Sequence, residues 1–161
     1  MFARPHDRAS GFTIVELVAV IAIIAIIAAY AAPLFVGSAP LAQRGYADEL
    51  ANTLRLARGV AVATNCDVQF SINAGTYQVM QRAATASGTS CLNTGAFITH
   101  VRRADGNNVS GYPPAGVSVP GIVSFIFSQD GGSIVGGVAP PAIAVGAFTV
   151  TVSNAGWVQV Q

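Results

Sequence analysis

Residues 11–33 read GFTIVELVAVIAIIAIIAAYAAP, an apolar stretch that carries one acid, Glu16. As a helix, residues 12–32 would rise ~1.5 Å each and reach roughly 31 Å, close to the ~30 Å hydrocarbon core of a bilayer. No charged residue occurs from position 17 to position 43, whereas Arg4 and Arg8 precede the run. Positive charge ahead of a span is retained in the cytoplasm, so the chain is expected to run from inside to outside. The acid is what needs explaining.

Two readings leave Glu16 without a purpose. A cleaved secretory signal has a foothold in Ala29, Tyr30 and Ala31, a small-x-small site just ahead of Pro33. Its apolar region, however, usually covers about 7 to 15 residues and needs no acid. A plain signal anchor keeps the acid as a cost, since a carboxyl group deep in the bilayer opposes insertion by up to ~3 kcal/mol. A third reading gives it a role. If the chain is cut between Gly11 and Phe12, the new α-amine opens a helix and Glu16 lies about one turn along it. There the positive end of the helix dipole and an ammonium, in its own chain or a neighbour's, both favour a carboxylate.

The whole run resembles the prepilin signature of the type IV pilin and type II secretion pseudopilin family. A short basic leader ends in Gly11, Phe12 follows, and Glu16 becomes the fifth residue of the mature chain. The resemblance implies that a prepilin peptidase cuts after Gly11 and methylates the amine of Phe12. It also implies that Glu16 pairs with the Phe12 amine of an adjacent subunit as the subunits leave the bilayer and align in a filament. Pro33 stands where many of these proteins have a helix-loosening proline. The implied location is the inner membrane, crossed once with the N-terminus cytoplasmic and the head periplasmic, and then a pilus or pseudopilus. The implied partners are other pilin or pseudopilin subunits, the prepilin peptidase, the inner-membrane assembly platform and, before assembly, the membrane itself.

The expected organisation is a leader over residues 1–11, a transmembrane and assembly helix over 12–36, an amphipathic continuation over 37–64, and a β-rich head over 65–161. Pro33 and Pro40 should bend or locally melt the helix. Beyond them Leu50, Leu54, Ala57 and Ala61 share one helical stripe, so that side should pack on the head. Arg44 and Asp48, four apart, read either as a solvated pair worth a few tenths of a kcal/mol or as a contact between subunits.

After Thr64 the period changes to two. DVQFSI and TYQVMQ, joined by Asn73, Ala74 and Gly75, read as a hairpin. GAFITHVRR reads as a strand with a turn at ADGNN, and GYPPAGVSVPG as an irregular connection. In IVSFIFSQDGGSIV, Phe125 and Phe127 should face one way and Ser124 and Ser128 the other. GGVAPPAIAVG reads as a loop, and AFTVTVSNAGWVQVQ as a closing hairpin. The fold class is therefore α+β: a long N-terminal helix packed on an antiparallel sheet or small sandwich of about six to eight strands, lollipop-like. Cys66 and Cys91, an even pair in an exported domain, are expected to form a disulfide, worth roughly 3 kcal/mol by loop entropy. FIFSQDGGSIVGG with FTVTVSNAGWVQV further resembles the minor subunits of the pseudopilin H, FimT-like and mannose-sensitive haemagglutinin pilin group.

No nucleophile elbow, phosphate loop or paired-histidine motif is present, so the expectation is a non-enzyme without cofactor or metal. Cys66, Cys91 and His100 lack zinc-ligand spacing and a fourth partner. Asp105 and Asp130 are lone acids that turn chemistry explains. His100 is expected at a strand surface, and Trp157 is read as a packing residue. A chain with eight basic and seven acidic residues and no lysine has no phosphate-binding stripe, which speaks against nucleic acid. DNA-binding members of the FimT-like group carry arginine in the last hairpin, where this chain has Trp157. A structural filament subunit is thus expected ahead of a tip-located adhesin, a DNA-uptake receptor or a membrane-anchored exported protein.

Overall fold

The structure, a computed structural model, describes residues 13–35, 38–85, 91, 95–134 and 140–161. The chain divides into two compact units, residues 1–38 and 39–161. The first unit contains α1 (Ile14–Phe35). From residue 14 to residue 30 its side chains are exposed on every side. Its composition, Ile, Val, Leu and Ala around the whole circumference, leaves no polar face on which to rest in water.

The second unit starts along α2 (Ser38–Thr64) and continues into nine described strands. Pro40 does not break the helix as expected. It stands in the first turn of α2, where a missing N–H leaves no internal bond unmade. The buried side of α2 is Tyr46, Ala47, Leu50, Ala51, Leu54, Ala57 and Ala61, recurring every three or four residues. Thr53 is buried among them, whereas charged neighbours such as Arg44, Glu49 and Arg55 stay at the surface. Arg44 and Asp48 form an exposed pair at 3.1 Å, a solvated contact that contributes little.

β1 (Val68–Asn73) and β2 (Thr76–Arg82) pair antiparallel with Asn73 opposite Thr76. The two residues between them, Ala74 and Gly75, have φ of 49° and 82°, the left-handed turn whose twist matches that of the flanking strands. β5 (Ile122–Phe127) adds to the other side of β1, bringing Phe70 opposite Phe125. β3 (Phe97–His100), β4 (Ser110–Gly111) and β6 (Ser133–Ile134) complete a six-stranded sheet of order β3-β2-β1-β5-β6, with β4 also on β2.

β7 (Ile143–Val145), β8 (Phe148–Val152) and β9 (Val158–Val160) form a second, three-stranded sheet. β7 lies in the segment expected to be a loop. Ile143 and Val145 are buried and Ala144 is exposed, an alternation too short to stand out between a proline pair and Gly146. The sheets are tied where Ser133 Oγ donates to Ser153 O at 2.6 Å and Ser133 N donates to Asn154 O at 3.0 Å.

The core is one cluster from α2 and both sheets. Within it Phe70 lies 5.5 Å from Phe125, and Phe125 lies edge-on to Phe127 at 5.4 Å, separations at which aromatic pairs attract beyond simple burial. Ser128 departs from the expected outward alternation. It is buried at the end of β5, where its hydroxyl donates to Asp130 Oδ1 and also reaches Gly132 O.

Candidate functional site

Gly11 and Phe12 lie outside the described residues. The first described turn begins at Thr13, whose hydroxyl accepts the backbone N–H of Glu16 at 3.2 Å, while Thr13 O accepts the N–H of Leu17 at 3.1 Å. Thr13 is therefore the N-cap of α1 and Glu16 its third helical residue, the spacing of a capping box. The T-x-x-E pattern is visible in the sequence. It gives Glu16 a local reason to be an acid: the carboxylate stands in the first turn, where helix-end N–H groups and the dipole favour negative charge. It is exposed, and so open to a second partner.

The backbone stays helical through Pro33, and α1 ends two residues later at Phe35. Among the described residues no helix is long and apolar enough to cross a membrane. The segment 12–36 expected to span includes residues outside the described set.

Cys66 and Cys91 are joined by a disulfide, with Cα atoms 5.4 Å apart. Cys66 stands two residues beyond the end of α2 and Cys91 bridges to Ala84, so the bond holds the long connection after β2 against the end of the helix. Beside it Arg82 Nε meets Asp67 Oδ2 at 2.8 Å, Arg82 Nη1 donates to Gly95 O at 2.6 Å, and the guanidinium lies 4.5 Å from the centre of the Phe97 ring. Arg82 is thus a second clasp on the same connection.

His100 is exposed on β3 opposite Met80. Among the described residues no group of His, Cys, Asp or Glu is arranged to hold a metal ion. Asp105 accepts both the backbone and the side-chain N–H of Asn107, which hold its carboxyl below the usual range. Asp130 is lowered in the same way by the hydroxyl of Ser128 and the N–H of Gly132.

Inside the head, Tyr77 donates to Glu49 Oε1 at 2.6 Å and accepts from Arg103 Nη2 at 3.3 Å, joining α2, β2 and the turn after β3. Burial and the Glu49 carboxylate raise its phenol pKa. Tyr46 is pushed up to about 12, chiefly by burial and then by Tyr77 and Glu49.

Trp157 overturns the packing expectation. It is 65% exposed, and its ring faces the guanidinium of Arg58 at 5.2 Å. The basic groups absent from the last hairpin's own sequence arrive from α2, a contact between residues almost 100 positions apart that no local pattern signals.

An all-round apolar helix with a capped acidic first turn, followed in sequence by an α+β head, is the pattern of a pilin-like subunit. A family model described as type II transport protein GspH matches residues 46–161, and one described as the prokaryotic N-terminal methylation motif matches residues 6–32. The chain belongs to the type II transport protein GspH family and is a minor pseudopilin or pilin subunit. No curated protein and no solved structure gives a significant match.

Proposed function

We propose that the chain is made as a precursor, cut between Gly11 and Phe12 by a prepilin peptidase, methylated on the Phe12 amine and assembled through α1 into a type IV pilus-like filament. The leader is residues 1–11, the assembly helix 12–36, its amphipathic continuation 37–64 and the head 65–161. Before assembly, α1 lies in the inner membrane with its N-terminus cytoplasmic and the head periplasmic. The assembly platform then draws it into the filament.

The observation that supports this reading best is the exposed carboxylate of Glu16 in the capped first turn of a helix that is apolar all round. Such a helix must be covered by lipid or by like helices. In either setting an unpartnered acid is unfavourable, and a neighbouring subunit's ammonium at the same depth neutralises it. Pro33 loosens the lower helix during the transfer, and the Cys66–Cys91 disulfide keeps the head intact in an oxidising compartment. The work of the chain is assembly, with no catalytic step.

The test is Glu16→Ala in the full chain, expressed with its own filament machinery. Insertion into the membrane should be normal and incorporation into sheared filaments lost. Normal incorporation would remove Glu16 from the mechanism.

A further inference from the structure

The chain's one tryptophan faces outward beside two cations. Arg55, Arg58, Gly156, Trp157 and Val158 line an open groove of about 280 Å³. Both arginines are held in place: Arg55 donates to Val158 O at 3.2 Å and to Asn52 Oδ1 at 2.9 Å, and Arg58 donates to Gly131 O at 2.8 Å. Among the described residues neither has a carboxylate at ion-pair distance, whereas Arg44 and Arg82 do. Asp130, next to the Gly131 whose carbonyl accepts from Arg58, is turned to Ser128 and Gly132. On the helix flank Leu56 and Val62 are exposed as well.

We propose that this groove docks an acidic peptide segment of a partner protein, with an aspartate or glutamate bridging Arg55 and Arg58 and an adjacent apolar side chain packed on the Trp157 ring. Charge complementarity selects the occupant: both arginines line the groove, neither has an acid at ion-pair distance, and the hydrogen bonds above leave guanidinium N–H donors that a carboxylate can take. Arginine and tryptophan are the residue types that dominate binding at protein interfaces. Because both arginines are fixed by main-chain acceptors, ordering them costs little on binding. The volume lies at the lower edge of the ~300–1,000 Å³ typical of small-molecule sites and suits one or two side chains. A nucleic-acid backbone is a poorer fit, because residues 39–161 hold six arginines against five acids and two of those arginines are already paired.

The experiment is selection of a random peptide library on the full-length chain in nonionic detergent micelles. The selected peptide is then synthesised and titrated, with the emission of Trp157, the sole tryptophan, as the readout. Selected sequences should be enriched in aspartate or glutamate beside an apolar residue. The peptide should shift Trp157 emission saturably and bind about tenfold or more weakly to Arg55→Glu and, read by peptide anisotropy, to Trp157→Leu. Arg55→Gln should fall between wild type and Arg55→Glu. Selection without acid enrichment, or affinity that ignores Arg55, overturns the proposal, as does an oligothymidylate that shifts Trp157 emission while acidic peptides do not. The readout is on the isolated subunit, so it stands or falls separately from filament assembly.

Discussion

Thr13 Oγ1 and the backbone N–H of Glu16 lie 3.2 Å apart, so the one acid of α1 sits in a turn closed by its own neighbour. The cap acts on the main chain of residue 16 and the charge acts on whatever the side chain meets, which makes the two separable. Thr13→Ala should cost α1 about 1 kcal/mol and speed amide hydrogen exchange in its first turn in micelles. Glu16→Gln should leave that exchange nearly unchanged yet abolish filament incorporation. Equal effects of both variants on incorporation would assign Glu16 a capping role alone.

Tyr46 predicts an alkaline weakness. Among the described residues its buried hydroxyl has no hydrogen-bond partner, and its pKa is raised from 10.0 to about 12. A pKa raised on folding means that the stability is fully present below pH 10 and is lost as the pH rises through about 12. Tyr46→Phe should be neutral or stabilising by up to ~1 kcal/mol at pH 7 and should flatten the loss between pH 10 and 12. Tyr77→Phe, which forfeits the bond to Glu49, should cost about 1 kcal/mol at pH 7. Denaturant midpoints across that range check both.

The disulfide closes a sequence separation of 25 residues. Reducing it, or replacing Cys66 and Cys91 together by serine, should lower stability by roughly 3 kcal/mol and the Tm by roughly 10 °C. The Arg82–Asp67 clasp should soften this loss, so Arg82→Ala in the reduced protein should lower the Tm further than in the oxidised one. Calorimetry on the four combinations reads the coupling.

Gly156 has φ of 77°, and a Cβ there would strike Gly131 O and Arg58 Nε. Gly156→Ala should therefore destabilise the head by about 1–3 kcal/mol and move Trp157 off Arg58. A red-shifted, more quenchable tryptophan emission with a lowered Tm is the expected signature.

The parts of the fold set by short-range periodicity could be read from the chain. The Leu50, Leu54, Ala57, Ala61 stripe, the β1–β2 hairpin at Ala74 and Gly75 and the β8–β9 hairpin each rest on spacings within a few residues. The disulfide partners needed only an even count and a compartment. What escaped depends on distant or very short features. β7 is three residues long, too few to display a period. The pairing of β1 with β5 joins strands across half the head, and no local spacing marks it. Trp157 is exposed with the Arg58 guanidinium over its ring, a contact between distant residues that no local pattern marks. The Thr13 cap is a local feature, legible at T-x-x-E, and it is compatible with an intermolecular partner for the same acid.

The most direct measurement is the exact mass of the N-terminal peptide of the protein taken from its own cell envelope. A peptide that begins at Phe12 and carries one methyl group on its amine is the predicted result. A chain that begins at Ala32, or that keeps residues 1–11 uncut in assembled filaments, would contradict processing as a pilin-like subunit and with it the role given to Glu16.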